Sequence, residues 1–154
     1  MCAVSFRSRL AETVYEFLDI GKSPRPADCI FVLAGRQEPQ THGINMWRFG
    51  YAPQLIQSED ITRKPSRKAR PGIRSEARIL AEHLRYKPVR SLLVVSSPMH
   101  LRRAALAFRR AFRKSGIELT FVAVPEKPAF SSEAVRAEVW SEFRRYLLSR
   151  LLML

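Results

Sequence analysis

Apolar positions along this chain follow two patterns, one with three- and four-residue spacing and one of short continuous runs. The first pattern is typical of amphipathic helices and the second of strands buried on both faces. Helices are predicted over Phe6–Ile20, Thr41–Phe49, Ser75–Leu84, from Pro98 to a stop at Gly116, and over Ser132–Leu154. Strands are predicted over Cys29–Ala34, Gln54–Gln57, Leu92–Val95 and Leu119–Val124, and Ile61–Gly72 is predicted to be a loop.

Four strands that alternate with helices favour an α/β fold with a small, mainly parallel sheet and helices on both faces. The length of 154 residues predicts a single domain over residues 1–154. Within it, residues 1–26 form an N-terminal helix and linker, and residues 132–154 form a C-terminal amphipathic helix. That final helix is longer than the edge of the sheet that it can cover in a domain of this size, so its last turn is predicted to be exposed in a monomer. The alternative is that Leu147, Leu151 and Leu154 close the core.

The stretch from Leu92 to Ala104 changes from an apolar strand to a helix start. Ser97 followed by Pro98 is a helix-start signal, which places His100 in the first turn and Arg103 three residues further along the same face. Such corners at the carboxyl ends of parallel strands accept anions and bind ligands. The alternative is that Ser97 is only a cap and His100 only a surface or packing residue.

A net charge of +13 is the main anomaly of the composition. It indicates attraction to nucleic acid, anionic lipid or acidic proteins, or else solvated helical faces. No apolar run approaches a membrane span, and the N-terminus lacks the pattern of a secretory signal. We therefore expect a soluble protein of the cytoplasm, either free or peripheral to the membrane. Cys2 and Cys29 have no metal spacing, and Cys29 is expected in the core.

Several blocks of this sequence resemble successive blocks of the YdcF-like family, which includes SanA- and ElyC-type proteins. The most specific is the strand followed by Ser97, His100, Arg103 and Ala104, and the next is the turn Gly50–Pro53. The final block, WSEFRRYLL at 140–148, is similar to the closing glutamate-bearing helix of that family. The other similar blocks are ADCIFVLAG at 27–35, HGINMWRFGYAPQLIQS at 42–58 and SEARILAEHL at 75–84.

The resemblance implies a Rossmann-like three-layer sandwich with a ligand crevice between the first strand and the strand before His100. It also implies S-adenosylmethionine as a candidate cofactor and a link to bacterial cell-envelope metabolism, with no established reaction. Candidates for ligand binding are Gly35, Arg36, Glu76, Ser96, Ser97, His100 and Arg103, of which His100 and Glu76 are also the candidates for proton transfer. No metal site is predicted.

This chain departs from the family pattern at several of these positions. Ala34-Gly35-Arg36 and Ser58-Glu59-Asp60 stand where relatives usually have glycine pairs. GIRSEA replaces a threonine-containing motif before the helix at 75, which leaves Glu76 as the residue that matches the family. Residues 59–73 form a shorter segment than the helix and strand of relatives, so part of the binding wall is expected to be reduced.

Three functions compete on this evidence. The first is a small-molecule site that holds an anionic or nucleotide-like ligand, in which Glu76 and Arg103 either serve the ligand or form a structural ion pair. The second is a non-enzymatic basic module for nucleic acid or an anionic membrane surface. The third is a hydrolase, but no carboxylate cluster has metal-ligand spacing, and Ser97 and His100 on one turn lack the third, orienting residue.

Overall fold

The computed structural model describes residues 2–35, 37–62 and 72–152. Six helices and four strands lie in these residues, in the order predicted except for one additional short helix. They are α1 (Cys2–Leu18), β1 (Cys29–Val32), α2 (Gln37–Arg48), β2 (Gln54–Gln57), α3 (Ser58–Ile61), α4 (Ile73–Leu84), β3 (Ser91–Ser96), α5 (Pro98–Ala111), β4 (Glu118–Ala123) and α6 (Glu133–Leu151).

The four strands form one parallel sheet in the order β2-β1-β3-β4. β1 lies beside β3 with Val32 opposite Val95, and β3 lies beside β4 with Ser96 opposite Ala123. The prediction of an α/β fold with a small parallel sheet is confirmed. The arrangement is that of a Rossmann-like three-layer sandwich.

The alternating side chains of the strands build two cores, one on each face of the sheet. Phe31 and Val94 pack with α4 and α5 on one face, whereas Val32 and Val95 pack with Met46 of α2 on the other. α1 and α6 contact each other and α5, where Val14, Leu18, Met99, Val139 and Tyr146 form a third cluster. Helices α2 and α5, which follow the two central strands, therefore lie on opposite faces.

Asp28 joins the amino ends of the central strands. Its Oδ2 accepts hydrogen bonds from the backbone N–H groups of Arg90 at 2.8 Å and Ser91 at 2.9 Å, and from the Ser91 hydroxyl at 3.0 Å. These bonds lower the pKa of Asp28. They also hold the alignment of β1 with β3, which sets the relative height of the loops at the opposite, carboxyl edge.

The helix predicted over Thr41–Phe49 is α2, which begins four residues earlier, at Gln37. The sequence pattern did not predict this first turn because the buried stripe of α2 is barely hydrophobic. The stripe consists of Pro39, Gly43 and Met46. A Cβ atom on Gly43 would come within 2.3 Å of Val32 Cγ2, so the missing side chain lets α2 lie close to β1. Hydropathy does not detect a stripe made of proline and glycine.

The segment predicted as the loop Ile61–Gly72 lies largely outside the described residues, and the sequence pattern missed α3 before it. At the other end of the chain, α6 extends past its packed region. Leu151 is 68% exposed and Leu152 is 71% exposed, which confirms the predicted exposure of the last turn; Leu154 lies outside the described residues. Within the described part of the chain, none of the helices has the length and apolar character needed to cross a membrane.

Candidate functional site at the carboxyl ends of the central strands

The carboxyl edge of the sheet contains a topological switch point between β1 and β3. β1 is followed by α2 on one face, and β3 is followed by α5 on the other, so the two connections diverge. In open parallel sheets, divergence of this kind leaves a crevice that binds ligands. The two strands are still hydrogen-bonded directly below the crevice, where the Leu33 N–H donates to the Val95 carbonyl at 3.2 Å.

Gly35 and the two serines lie at the ends of these strands. Gly35 has φ of +152°, which favours glycine, and a Cβ atom there would meet no other atom within 4 Å. Ser96 ends β3 and Ser97 precedes α5, and both are buried. Arg36 lies outside the described residues.

Ser97 stands at the predicted N-cap of α5, but its hydroxyl makes no cap hydrogen bond. The prediction that its side-chain oxygen caps the helix is therefore wrong. The Ser97 carbonyl instead accepts from the His100 N–H at 3.0 Å, and Pro98 begins the helix, where no N–H is required.

His100 and Arg103 meet at one carboxylate, Glu142 of α6. Arg103 donates to Glu142 Oε2 through Nε at 3.1 Å and Nη2 at 2.9 Å. His100 Nδ1 lies 3.0 Å from the same oxygen, without the alignment of a regular hydrogen bond. Arg145 Nη1 donates to the other oxygen, Oε1, at 2.6 Å. The spacing that placed His100 and Arg103 on one helix face is thus confirmed, and that face is turned toward α6.

Glu142 is 2% exposed and carries its charge inside the protein. Burial alone raises the pKa of its carboxyl group, but the contact with His100, the charges of His100 and Arg103 and the hydrogen bond from Arg145 lower the pKa to about 2. One carboxylate therefore faces two guanidinium groups and an imidazole. Because Arg103 and Arg145 carry two positive charges against the single negative charge of Glu142, the cluster retains positive charge at neutral pH.

Glu76 of α4 is the second buried carboxyl group at this edge and is 1% exposed. Its Oε1 accepts from the Ser58 hydroxyl at 2.9 Å, whereas its Oε2 accepts no hydrogen bond from the described residues. Burial raises the pKa of Glu76 to about 6. The Ser58 hydrogen bond, the charge of Arg103 and the nearby Ala34 N–H, which is not aligned for a regular hydrogen bond, only reduce that rise. Glu76 therefore lies near the end of β1 and within the field of Arg103.

The alternative of a structural ion pair between Glu76 and Arg103 is not what forms, because Arg103 pairs with Glu142. Two of the five N–H groups of Arg103 reach Glu142 Oε2, and Glu76 Oε2 accepts no hydrogen bond from the residues that the structure describes. The two candidates are thus near each other but engaged with different partners.

A cavity of about 410 Å³ opens at the same edge of the sheet, on the α2 side. Its walls are the first turns of α2, including Glu38 and His42, and Val124 and Pro125 after β4. Burial lowers the pKa of His42. Gly35, Ser97, His100 and Arg103 are not among its lining residues, so their joint exposure to one concavity stays a prediction.

Sequence reasoning missed three residues of this cluster, namely Ser58, Glu142 and Arg145. The pattern of α6 contained a signal for Glu142, because it lies three residues after Val139 and four before Tyr146, both of which are buried. A carboxylate at such a position needs a cationic partner from another element. The resemblance indicated the glutamate-bearing helix, but the folded chain shows which helix it meets.

The expectation that Ser97 and His100 lack an orienting residue needs a correction, since Glu142 from α6 lies against the His100 ring. Ser97 and His100 are nevertheless joined only through the backbone bond between them, and no described hydrogen bond links the Ser97 hydroxyl to the ring. The carboxylate and imidazole of a nucleophilic triad are therefore adjacent, while the serine is not connected to them.

Comparison of this chain with protein-family models, with curated proteins and with solved structures found no match.

Proposed function

We propose that this protein binds a small anionic, nucleotide-like ligand at the carboxyl ends of β1 and β3, in the manner that its resemblance to the YdcF-like family implies. The observation that carries the proposal is the Oε2 atom of Glu76, a buried carboxylate oxygen without a hydrogen-bond donor among the described residues. Leaving such an atom unpaired costs about 1–3 kcal/mol, so native proteins seldom keep one without a role.

Glu76 would accept a hydrogen bond from a hydroxyl or amino group of the ligand. Its raised pKa of about 6 also lets it take up a proton close to neutral pH, which is the property needed in a general acid or base. The resemblance points to proton transfer by His100 or Glu76. Glu76 has the stronger support because its Oε2 accepts no hydrogen bond from the described residues, whereas the His100 ring lies against Glu142.

Arg103 and the start of α5 supply the complementary anion site. Arg103 is held in place by two hydrogen bonds to Glu142, so its remaining N–H groups are preorganised. The first turn of α5 adds partial positive charge, and Gly35 leaves open space on the neighbouring strand. A carboxylate or phosphate bound there would be recognised by the positive charge and by the fixed orientation of the Arg103 N–H groups.

S-adenosylmethionine fits this division of chemistry as the candidate cofactor. It presents a carboxylate for Arg103 and ribose hydroxyls for Glu76. As part of the same proposal, the protein works in the cytoplasm or at the inner face of the membrane, on a step of cell-envelope metabolism. An enzymatic step at this site would use Glu76 as the proton carrier.

Binding is tested with a thermal-shift panel of S-adenosylmethionine, nucleotides and undecaprenyl-type phosphates, followed by calorimetry on each compound that raises the melting temperature. Glu76→Gln and Arg103→Lys are expected to weaken binding by about tenfold or more, because each removes a charge-assisted contact or its bidentate geometry. Glu82→Gln is the matched control, since Glu82 lies on the same helix and is exposed.

The proposal fails if no compound of the panel stabilises the protein at millimolar concentration. It also fails if a compound binds with equal affinity to the Glu76→Gln variant, to the Arg103→Lys variant and to the wild type, because its site is then elsewhere.

A further inference from the structure

A second concave surface lies away from the Glu76 and His100 site, between α5, the edge strand β4 and the end of α6. Its cavity measures about 560 Å³. The floor is apolar, formed by Ile20, Leu106, Leu119 and Phe121, and four cations line it, Lys22, Arg102, Arg109 and Arg150. Because β4 is the last strand of the sheet, this cavity opens at the side of the molecule.

The four cations have no anionic partner in the described part of the protein. Arg102 donates to the Phe17 carbonyl and places its guanidinium 4.0 Å from the Phe17 ring centroid. Arg109 lies 5.6 Å from the Phe121 ring centroid, and Arg150 donates to the Tyr146 hydroxyl at 3.3 Å. None of the ion pairs between described residues includes any of the four. Aromatic and neutral oxygen contacts hold the three arginines without neutralising their charge.

Exposed leucines border the cavity on α6. Tyr146 and Arg150 are one turn apart on the cavity side, and Leu147 and Leu151 form the adjacent row of the same helix. Leu148 and Leu152 are exposed as well. Phe17, also partly exposed, stacks edge-on against Tyr146 at 5.7 Å and continues the apolar surface onto α1.

We propose that this face docks on an anionic phospholipid membrane, with a lipid phosphate seated among the four cations and the α6 leucines inserted among the acyl chains. An amphipathic helix end that carries arginine beside leucine suits the boundary between headgroups and hydrocarbon. The arginine side chains can reach the phosphates while their stems lie along apolar surface. The cationic cavity supplies the complementary charge that an apolar patch alone lacks.

A lipid surface fits these observations better than nucleic acid does. Nucleic acid would use the four cations for its phosphates but would leave Leu147, Leu148, Leu151 and Leu152 in water. Recognition of single strands needs exposed aromatic rings for base stacking. Of the rings beside these cations, Phe121 and Tyr146 are buried, and Arg102 lies over the partly exposed Phe17 ring. The apolar part of the surface therefore decides in favour of lipid.

The test is co-sedimentation with vesicles made of equal parts phosphatidylglycerol and phosphatidylcholine, compared with phosphatidylcholine alone. Wild-type protein is expected to bind only the anionic vesicles, and Arg109→Glu with Arg150→Glu should weaken binding by at least about tenfold. Arg48→Glu with Arg85→Glu makes the same change in net charge at exposed positions outside the cavity, and it should change binding by less than about threefold.

A second variant tests insertion separately from charge. Leu151→Ser with Leu152→Ser should weaken vesicle binding by about tenfold or more and leave the unfolding midpoint in urea unchanged, because both side chains are exposed. This experiment requires no ligand at the Glu76 site, so its outcome is independent of the proposed function.

Three results would overturn the membrane assignment. Equal weakening by the two arginine pairs would mean that net charge alone attracts the protein. Unchanged vesicle binding by the leucine variant, together with loss of RNA binding in the Arg109 and Arg150 variant, would assign the surface to nucleic acid. A wild-type dimer that the leucine variant converts to a monomer would assign the surface to a second copy of this chain.

Discussion

Glu142 Oε2 lies 3.0 Å from Nδ1 of His100, which brings the last helix of the chain to the first turn of α5. The same oxygen also receives both hydrogen bonds from Arg103. The position of the His100 ring therefore depends on α6, although no short sequence motif connects the two residues. α6 contributes a buried group to the candidate site as well as an apolar face to the third cluster.

Replacing Glu142 by Gln is expected to destabilise the protein at neutral pH. The pKa of this carboxyl group falls from its usual 4.5 to about 2 on folding, so its ionised form is the stabilising one. That contribution is fully present above pH 4.5 and is lost as the pH falls toward 2, and the difference of the pKa values corresponds to about 3 kcal/mol. Urea denaturation of the wild type and the Glu142→Gln variant across this pH range measures it.

Glu118→Gln is the control for this experiment, because Glu118 is exposed and makes no described ion pair. A difference between wild type and Glu142→Gln that stays constant from neutral pH to about pH 2 would contradict the electrostatic explanation and point to packing instead.

Replacing Glu76 by Gln is expected to have the opposite effect on stability. The folded-state pKa of about 6 exceeds the usual 4.5, so folding disfavours the ionised form, and the cost appears as the pH rises from 4.5 to 6. Gln carries no charge and can still accept from Ser58. The free energy of unfolding of the variant minus that of the wild type should therefore be about 2 kcal/mol larger above pH 6 than at acidic pH.

Thermal or urea unfolding of both proteins on each side of pH 6 measures this gain, with Glu82→Gln as the exposed control on the same helix. Combined with weaker ligand binding, a gain in stability would identify Glu76 as a group kept for function at the expense of the fold. A variant less stable than wild type at every pH would instead make Glu76 a structural residue.

Gly43→Ala should destabilise the contact between α2 and β1. Alanine usually stabilises a helix interior by about 1 kcal/mol relative to glycine. Here, however, the added Cβ would lie 2.3 Å from Cγ2 of the buried Val32, and the overlap is expected to cost about 1–3 kcal/mol. Chemical denaturation checks the sign, with Asn45→Ala as the control because Asn45 is exposed on the same helix.

A double-mutant cycle that combines Gly43→Ala with Val32→Ala tests whether the steric overlap causes the loss of stability. If the overlap is responsible, Gly43→Ala and Val32→Ala together should cost less than the sum of the two single changes, because removal of Cγ2 frees the space. Additive losses would show that the glycine acts through something other than close packing.

The thiol of Cys29 should be unreactive in the native protein. It is fully buried, and burial raises its pKa from 9.0 to about 11, so almost no thiolate is present near neutral pH. In a Cys2→Ser variant, a chromogenic disulfide reagent is expected to find no reactive thiol until a denaturant is added. Rapid modification under native conditions would mean that β1, the central strand, opens readily.

Local sequence determined the elements whose patterns arise within a few residues. The apolar runs from Cys29 and Leu92 became β1 and β3, and Ser97-Pro98 marked the start of α5. The spacing of His100 and Arg103 on one helix face also follows from helical periodicity alone. The sequence pattern did not predict the buried stripe of α2. The stripe consists of Pro39, Gly43 and Met46, which fit the sheet by their shape but form no hydrophobic pattern.

What only the tertiary structure decided is which charges meet. Arg103 was compatible with Glu76, with a ligand or with solvent, and its pairing with Glu142 depends on how α6 crosses α5. The same crossing leaves Leu151 and Leu152 in solvent while Val139 and Tyr146 are buried. Helical periodicity aligns side chains along one element, but ion pairs and covered surfaces form between elements distant in the chain, so their identity is settled only when those elements pack together.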